Sequence, residues 1–241
     1  MKCYNKKILT ITIIVALVLL AITTTIFFFT KNETDALKFK KEYEAYNNET
    51  NSSGKTYRNL NISKNNPIIY LTPEELLEKI NNKETFVIYF GFATCPWCRS
   101  VIETLFDVAS DFNMDKIYYV DVSGIRDVME IDSSNNITTK TRGTDSYYKL
   151  LEKFNDVLAD YTLKDSSGNV VKTGEKRIYA PNVASITKGN VKELTTGISS
   201  LETDPYMELT SDMKDEMYQD FKCIIKCTIE ADSTCSIDKS C

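Results

Sequence analysis

The chain has 241 residues and 42% hydrophobic content, enough for one packed domain with extensions or one domain plus a small second unit. A formal net charge of −5, spread over 26% charged residues with no basic cluster, argues against nucleic-acid binding. The chain contains no histidine, which removes the usual mixed Cys/His zinc patterns.

At the start, Lys2, Lys6 and Lys7 precede an uncharged apolar run from Ile8 to Phe29. At 1.5 Å per residue such a helix reaches about 33 Å, enough to cross a bilayer core of about 30 Å. No small-residue cleavage boundary follows, so the run reads as an uncleaved single-pass anchor in preference to a cleaved signal. The leading lysines orient the N-terminus to the cytoplasm and the rest outside. Residues 1–30 are thus expected to be a cytoplasmic tip and transmembrane anchor, with Cys3 incidental to it.

Residues 31–66 are polar, with Asn47 to Gly54 the most linker-like part, and read as a tether holding a domain off the membrane. The folded domain is expected over 67–222. Ile68 to Leu71 is a short strand. A helix opens at Thr72, with Pro73 at its first position and Glu75 three residues after the cap. Phe86 to Phe90 is a continuous apolar strand of the kind buried on both faces. A helix follows with Val101, Leu105, Val108, Ala109 and Phe112 at helical spacing, and Lys116 to Val122 is the next strand. Strand, helix, strand, helix, strand predicts an α/β sheet. Asp107, Asp111 and Asp115 read as a solvated edge.

An extra region is expected over about 124–175, polar and irregular from Asp127 to Gly143 and helical from Asp145 to Tyr161. Leu163 to Val171 reads as a hairpin turn. Lys176 to Val191 predicts two strands joined at Lys188-Gly189-Asn190. Pro181 lies awkwardly in that stretch because proline lacks the ladder donor, and a cis bond after Ala180 would accommodate it. A last helix is expected from Leu209 to Ile225, leading into a cysteine-rich tail at 223–241.

The seven cysteines, Cys3, Cys95, Cys98, Cys223, Cys227, Cys235 and Cys241, fit an oxidising compartment. Chemistry concentrates at Cys95-Pro96-Trp97-Cys98. A strand running into this motif and a helix leaving it place Cys95 over unpaired N–H groups and the positive end of the helix dipole, which favours thiolate. Cys98, one turn along, can reach Cys95 and resolve a mixed disulfide within the chain. Pro96 suits the first helical position, Arg99 adds a positive charge, and Trp97 is expected as a partly exposed lid. The competing readings are a structural disulfide or half of a zinc site. For Cys223, Cys227, Cys235 and Cys241 three readings stay open: two disulfides joining helix to tail, a thiol relay exchanging with Cys95 and Cys98, or a zinc knot of four thiolates.

Phe92-Ala-Thr-Cys-Pro-Trp-Cys98 after a strand, Tyr119-Val-Asp121 closing the next, and Gly174-Glu-Lys-Arg-Ile-Tyr-Ala-Pro181 with Lys188-Gly189 after it resemble the thioredoxin-like superfamily. Within it the chain is similar to the membrane-anchored or bacteriocin-transport accessory proteins of bacteria, over about residues 67 to 222. The resemblance implies a central mixed sheet flanked by helices, here with a helical insertion, and a cis Pro181 lining a peptide groove in which the Ala180 backbone pairs with an extended substrate. It also implies a protein-disulfide oxidoreductase without a cofactor. Its partners would be protein or peptide thiols and disulfides, with a membrane redox protein as a further candidate. The alternative is a non-catalytic accessory module for an exported peptide. The chain departs from thioredoxins proper in lacking a buried aspartate before the first cysteine. Phe86 to Phe90 offers no carboxylate and Ile117 to Tyr119 no charged helper, so assistance to Cys98 is expected from water or from the extra region.

Overall fold

The computed structural model describes residues 13–19, 33–132, 134 and 136–230. Most of the expected 8–29 anchor, together with Cys3, Cys235 and Cys241, lies outside the described residues. Residues 13–19 are helical, and among the described residues no helix is long and apolar enough to cross a membrane.

The fold is mixed α/β. Its centre is a five-stranded sheet in the order β1-β3-β2-β8-β9. β1 (Ile68–Tyr70), β3 (Ile117–Asp121) and β2 (Phe86–Gly91) run parallel. β8 (Asn182–Thr187) lies antiparallel to β2, and β9 (Asn190–Thr195) antiparallel to β8. Every residue of β2 and β8 is buried, as the uninterrupted apolar run from Phe86 requires of a strand covered on both faces.

The period-two alternation of β2 sorts its side chains between two cores. Val87 and Tyr89 join a cluster with α1 (Asp35–Glu44), α3 (Pro96–Asp111) and α5 (Ser211–Ile229). Phe86, Ile88 and Phe90 face the opposite cluster, with α2 (Pro73–Asn81) and α4 (Asp145–Phe154). α2 opens on the expected capping box: the Thr72 side chain accepts the Glu75 N–H, and the Glu75 carboxylate accepts the Thr72 N–H. Lys188 and Gly189, both at positive φ, close the two-residue turn between β8 and β9. A Cβ at Gly189 would come within 2.3 Å of the Ile80 carbonyl oxygen, so only glycine fits there.

Two expectations need correction. Residues 31–66 are not a bare tether: Thr34 caps α1, and Phe39 and Tyr43 of α1, with Leu60 and Ile62 beyond it, are buried in the core. The two rings stack at 4.1 Å between centroids. A polar composition concealed this because the two aromatics lie four apart, on one face of a short and otherwise charged helix. Secondly, the extra region is only partly helical. Besides α4 it holds two hairpins, β4 (Val128–Ile131) with β5 (Ile137–Thr141) and β6 (Asp160–Lys164) with β7 (Val170–Lys176), each a separate two-stranded sheet. The 127–143 stretch was expected to be irregular because its strands are short, polar and solvent-facing. The two hairpin loops share one device. Asp132 accepts the N–H groups of Ser134 and Asn136, and Asp165 those of Ser167 and Asn169.

Candidate functional site

β2 ends at Gly91, and a turn bonding the Cys95 N–H to the Phe92 carbonyl at 3.1 Å carries the chain into α3. Cys95 is the N-cap of that helix and Pro96 its first residue. The Cys95 sulfur accepts the Cys98 N–H at 3.3 Å, so a helix donor that would lack a partner is met by sulfur.

The sheet register explains what lies opposite. Asn182 pairs with Phe90, so the loop just before β8 passes beside the chain just after β2. The Ala180–Pro181 peptide bond in that loop is cis, and the Cys95 thiol donates to the Ala180 carbonyl at 3.3 Å. Cys95, Pro96, Trp97 and Cys98, consecutive in the chain, therefore share one end of the sheet with Pro181 and with Ala180, 85 residues beyond Cys95. Trp97 is half-buried against the core, while Thr94 is exposed beside it.

The two cysteines are thiols in unlike environments, with no disulfide between them. Cys95 keeps 4% of its surface exposed and Cys98 none. Hydrogen bonding from the Cys98 thiol holds the Cys95 thiol below its ordinary value against the opposing effect of burial, helped by the Cys98 N–H and the Arg126 charge. Burial pushes the Cys98 thiol well up, and the neighbouring Cys95 sulfur adds to the rise. Such a pair can form a thiolate at Cys95 while Cys98 keeps its proton.

The charge acting on Cys95 differs from the expected one. Arg99 is 1% exposed and turned away from the motif. It donates to the carbonyls of Tyr43 and Arg58 and to the Asn47 side chain at 2.5–2.9 Å, pinning the 43–58 segment to α3. Arg126, from the extra region, instead stands over the Phe92 ring at 5.2 Å and donates to the Ile178 carbonyl at 3.4 Å. It thus bridges the two loops that flank Cys95. Nothing in its own polar surroundings marked it, because only the packing of the insertion brings it there.

Cys227 is not placed to take part in the tail relay. The Thr187 hydroxyl donates to the Cys227 carbonyl at 3.4 Å, which puts Cys227 at the far end of β8. Five strand residues at about 3.4 Å each separate that end from Asn182, about 17 Å in all. Cys227 is also disulfide-bonded, and so is not a thiolate available to exchange or to a zinc knot. A cleft of about 640 Å³ lined by Asn61, Glu103, Asp107, Ser110, Asp115 and Lys214 lies along α3 away from Cys95. Its lining contains no cysteine. Asp107 and Asp115 line that cleft, and Asp111 accepts the Tyr218 hydroxyl at 2.7 Å.

No protein-family model matches the chain, and no curated protein is similar to it.

Proposed function

We propose that this protein is a thiol–disulfide oxidoreductase of thioredoxin-like fold, anchored outside the cytoplasm by residues 8–29. The observation that carries this reading is the N-cap position of Cys95, with its sulfur between the Cys98 N–H and the Ala180 carbonyl. A sulfur in that place is stabilised as thiolate by helix donors, and an extended polypeptide can pair with the adjacent Ala180 backbone. The Cys95 thiolate attacks a substrate disulfide, forming a Cys95–substrate bond and releasing one substrate thiolate, which takes up a proton. Cys98 then attacks Cys95, and the second substrate sulfur leaves. Two electrons pass from the dithiol to the substrate, and the same steps run backwards for oxidation. The mixed order of parallel and antiparallel strands around β2 and the β8 loop is the arrangement that the family resemblance implies.

The test is trapping. Full-length Cys98→Ser, reduced and mixed with a disulfide-containing peptide, should hold a covalent adduct that thiol reductant releases. Wild-type protein should not accumulate one, and Cys95→Ser should form none. Failure of the Cys98→Ser variant to form any adduct would remove the enzymatic reading.

The second reading, a non-catalytic accessory module for an exported peptide, draws on the 4% exposure of Cys95. It requires an inert pair with a potential below about −300 mV, which equilibration with glutathione measures directly.

A further inference from the structure

The chain holds five arginines, and four of them have acceptors that balance their charge. Arg58, Arg142 and Arg177 lie 3.6, 2.8 and 3.3 Å from the carboxylates of Glu202, Asp145 and Asp127. Arg99 is held by two carbonyls and the Asn47 side chain. Arg126 differs. Among the described residues no carboxylate forms an ion pair with it, although the chain is acidic overall. Its hydrogen bond is the long one to the Ile178 carbonyl at 3.4 Å, and its Nε is buried without a partner. A guanidinium carries five donors in a planar fork, so most of this one is unused.

The backbone on either side of Arg126 is fixed. The Ile125 carbonyl accepts the Thr144 N–H at 2.9 Å, and the Asp127 carbonyl accepts Arg177 at 2.9 Å. A Cβ on Gly143 would fall 2.9 Å from the Asp127 nitrogen and 3.0 Å from the Ile125 oxygen, so the 143 backbone closes directly over this segment. Asp127, next in the chain, is itself taken by Arg177. The side chain then lies over the Phe92 ring at 5.2 Å, and the Phe92 carbonyl holds the Cys95 N–H. Ile178 is two residues from Ala180, whose carbonyl accepts the Cys95 thiol, and two residues span at most about 7 Å. A preorganised, unpaired cation therefore borders the stretch where an extended substrate would lie.

We propose that Arg126 is a substrate-binding residue that pairs with a carboxylate on the disulfide substrate, so that the protein favours polypeptide disulfides with an acidic residue within about four positions of the attacked half-cystine. A carboxylate there would take the spare donors of the fork and relieve the cost of leaving a buried one unmatched. Polypeptide is chosen over a small thiol because the Ala180 backbone beside Cys95 is available to pair with a main chain. The inference rests on the oxidoreductase reading and names its substrate class.

The experiment uses reduced full-length protein and two synthetic peptides, each with one cysteine joined to a coloured aryl thiol. The peptides differ only in carrying Glu or Gln around the cysteine. Cys95 attacks the peptide sulfur, a Cys95–peptide bond forms, and the aryl thiolate, the better leaving group, departs with the electron pair. Wild type should release colour from the Glu peptide about tenfold faster than from the Gln peptide, and added salt should shrink that ratio. In Arg126→Gln the ratio should fall to one or below. The Gln-peptide rate reports any change in Cys95 itself or in the fold, because that peptide has no carboxylate to pair. Equal rates for the two peptides in wild type, or a ratio kept in Arg126→Gln, would overturn the proposal and leave the oxidoreductase reading in place. So would dependence on Arg126 confined to glutathione disulfide, a small carboxylate-bearing substrate. No release from either peptide would remove the oxidoreductase reading and this inference with it.

Discussion

The two ends of the central sheet use sulfur in opposite ways. At the β2 end, Cys95 caps α3, where hydrogen bonds from the Cys98 thiol and N–H, with the Arg126 charge, favour a thiolate, while burial keeps Cys98 protonated. At the other end, Cys227 lies in the last turns of α5, is bonded through its sulfur, and accepts the Thr187 hydroxyl at its carbonyl. A helix start offers donors and positive potential, whereas a helix end offers carbonyls and the opposite sign. Position on a helix, more than the amino acid itself, separates a sulfur favoured as thiolate from one engaged in a disulfide.

Substitutions can break this contrast, and the largest effect belongs to Cys95→Ser. It should abolish disulfide exchange, measured by release of coloured thiolate, and leave the thermal transition near wild type. Arg99→Ala comes next, as a loss of stability. It removes a buried cation whose donors satisfy Tyr43, Arg58 and Asn47, so unfolding in denaturant should show a loss of about 3 kcal/mol. Cys227→Ser should cost about 2–4 kcal/mol by removing a cross-link, with exchange at Cys95 unchanged; a matching fall in activity would revive the relay.

The smallest effect is electrostatic. Arg126→Gln should slow Cys95 alkylation below neutral pH by less than about tenfold, and the pH at which the rate falls off should rise. The sign follows from the depressed Cys95 thiol: thiolate persists until pH drops through its folded-state value, and losing Arg126 lifts that value. The same depression adds stability above the ordinary thiol range, about 8.5, which is lost as pH falls through the folded value. Arg126→Gln should therefore flatten the stability gain between those limits, and denaturant titrations across that range would show it.

Much of this was legible in order along the chain. The apolar run at Phe86, the capping box at Thr72 and the turn at Lys188-Gly189 each announce their element through local chemistry. The Cys95 and Cys98 spacing announces the dithiol in the same way. The first hairpin of the insertion was hidden because its short strands hold no buried residue, whereas the second was announced by the turn residues between Leu163 and Val171.

What the sequence by itself determined was the central strand, the helix that Cys95 begins, and the spacing that sets Cys98 one turn from Cys95, because each depends on residues a few positions apart. Tertiary structure alone decided the rest of the site. Packing brought the Ala180 carbonyl to the Cys95 sulfur and Arg126 to the loops that flank it, turned Arg99 away, and sent Cys227 to the far end of β8. Electrostatic and hydrogen-bond effects act over a few ångströms of space, and the chain order holds no record of which distant segments come that close.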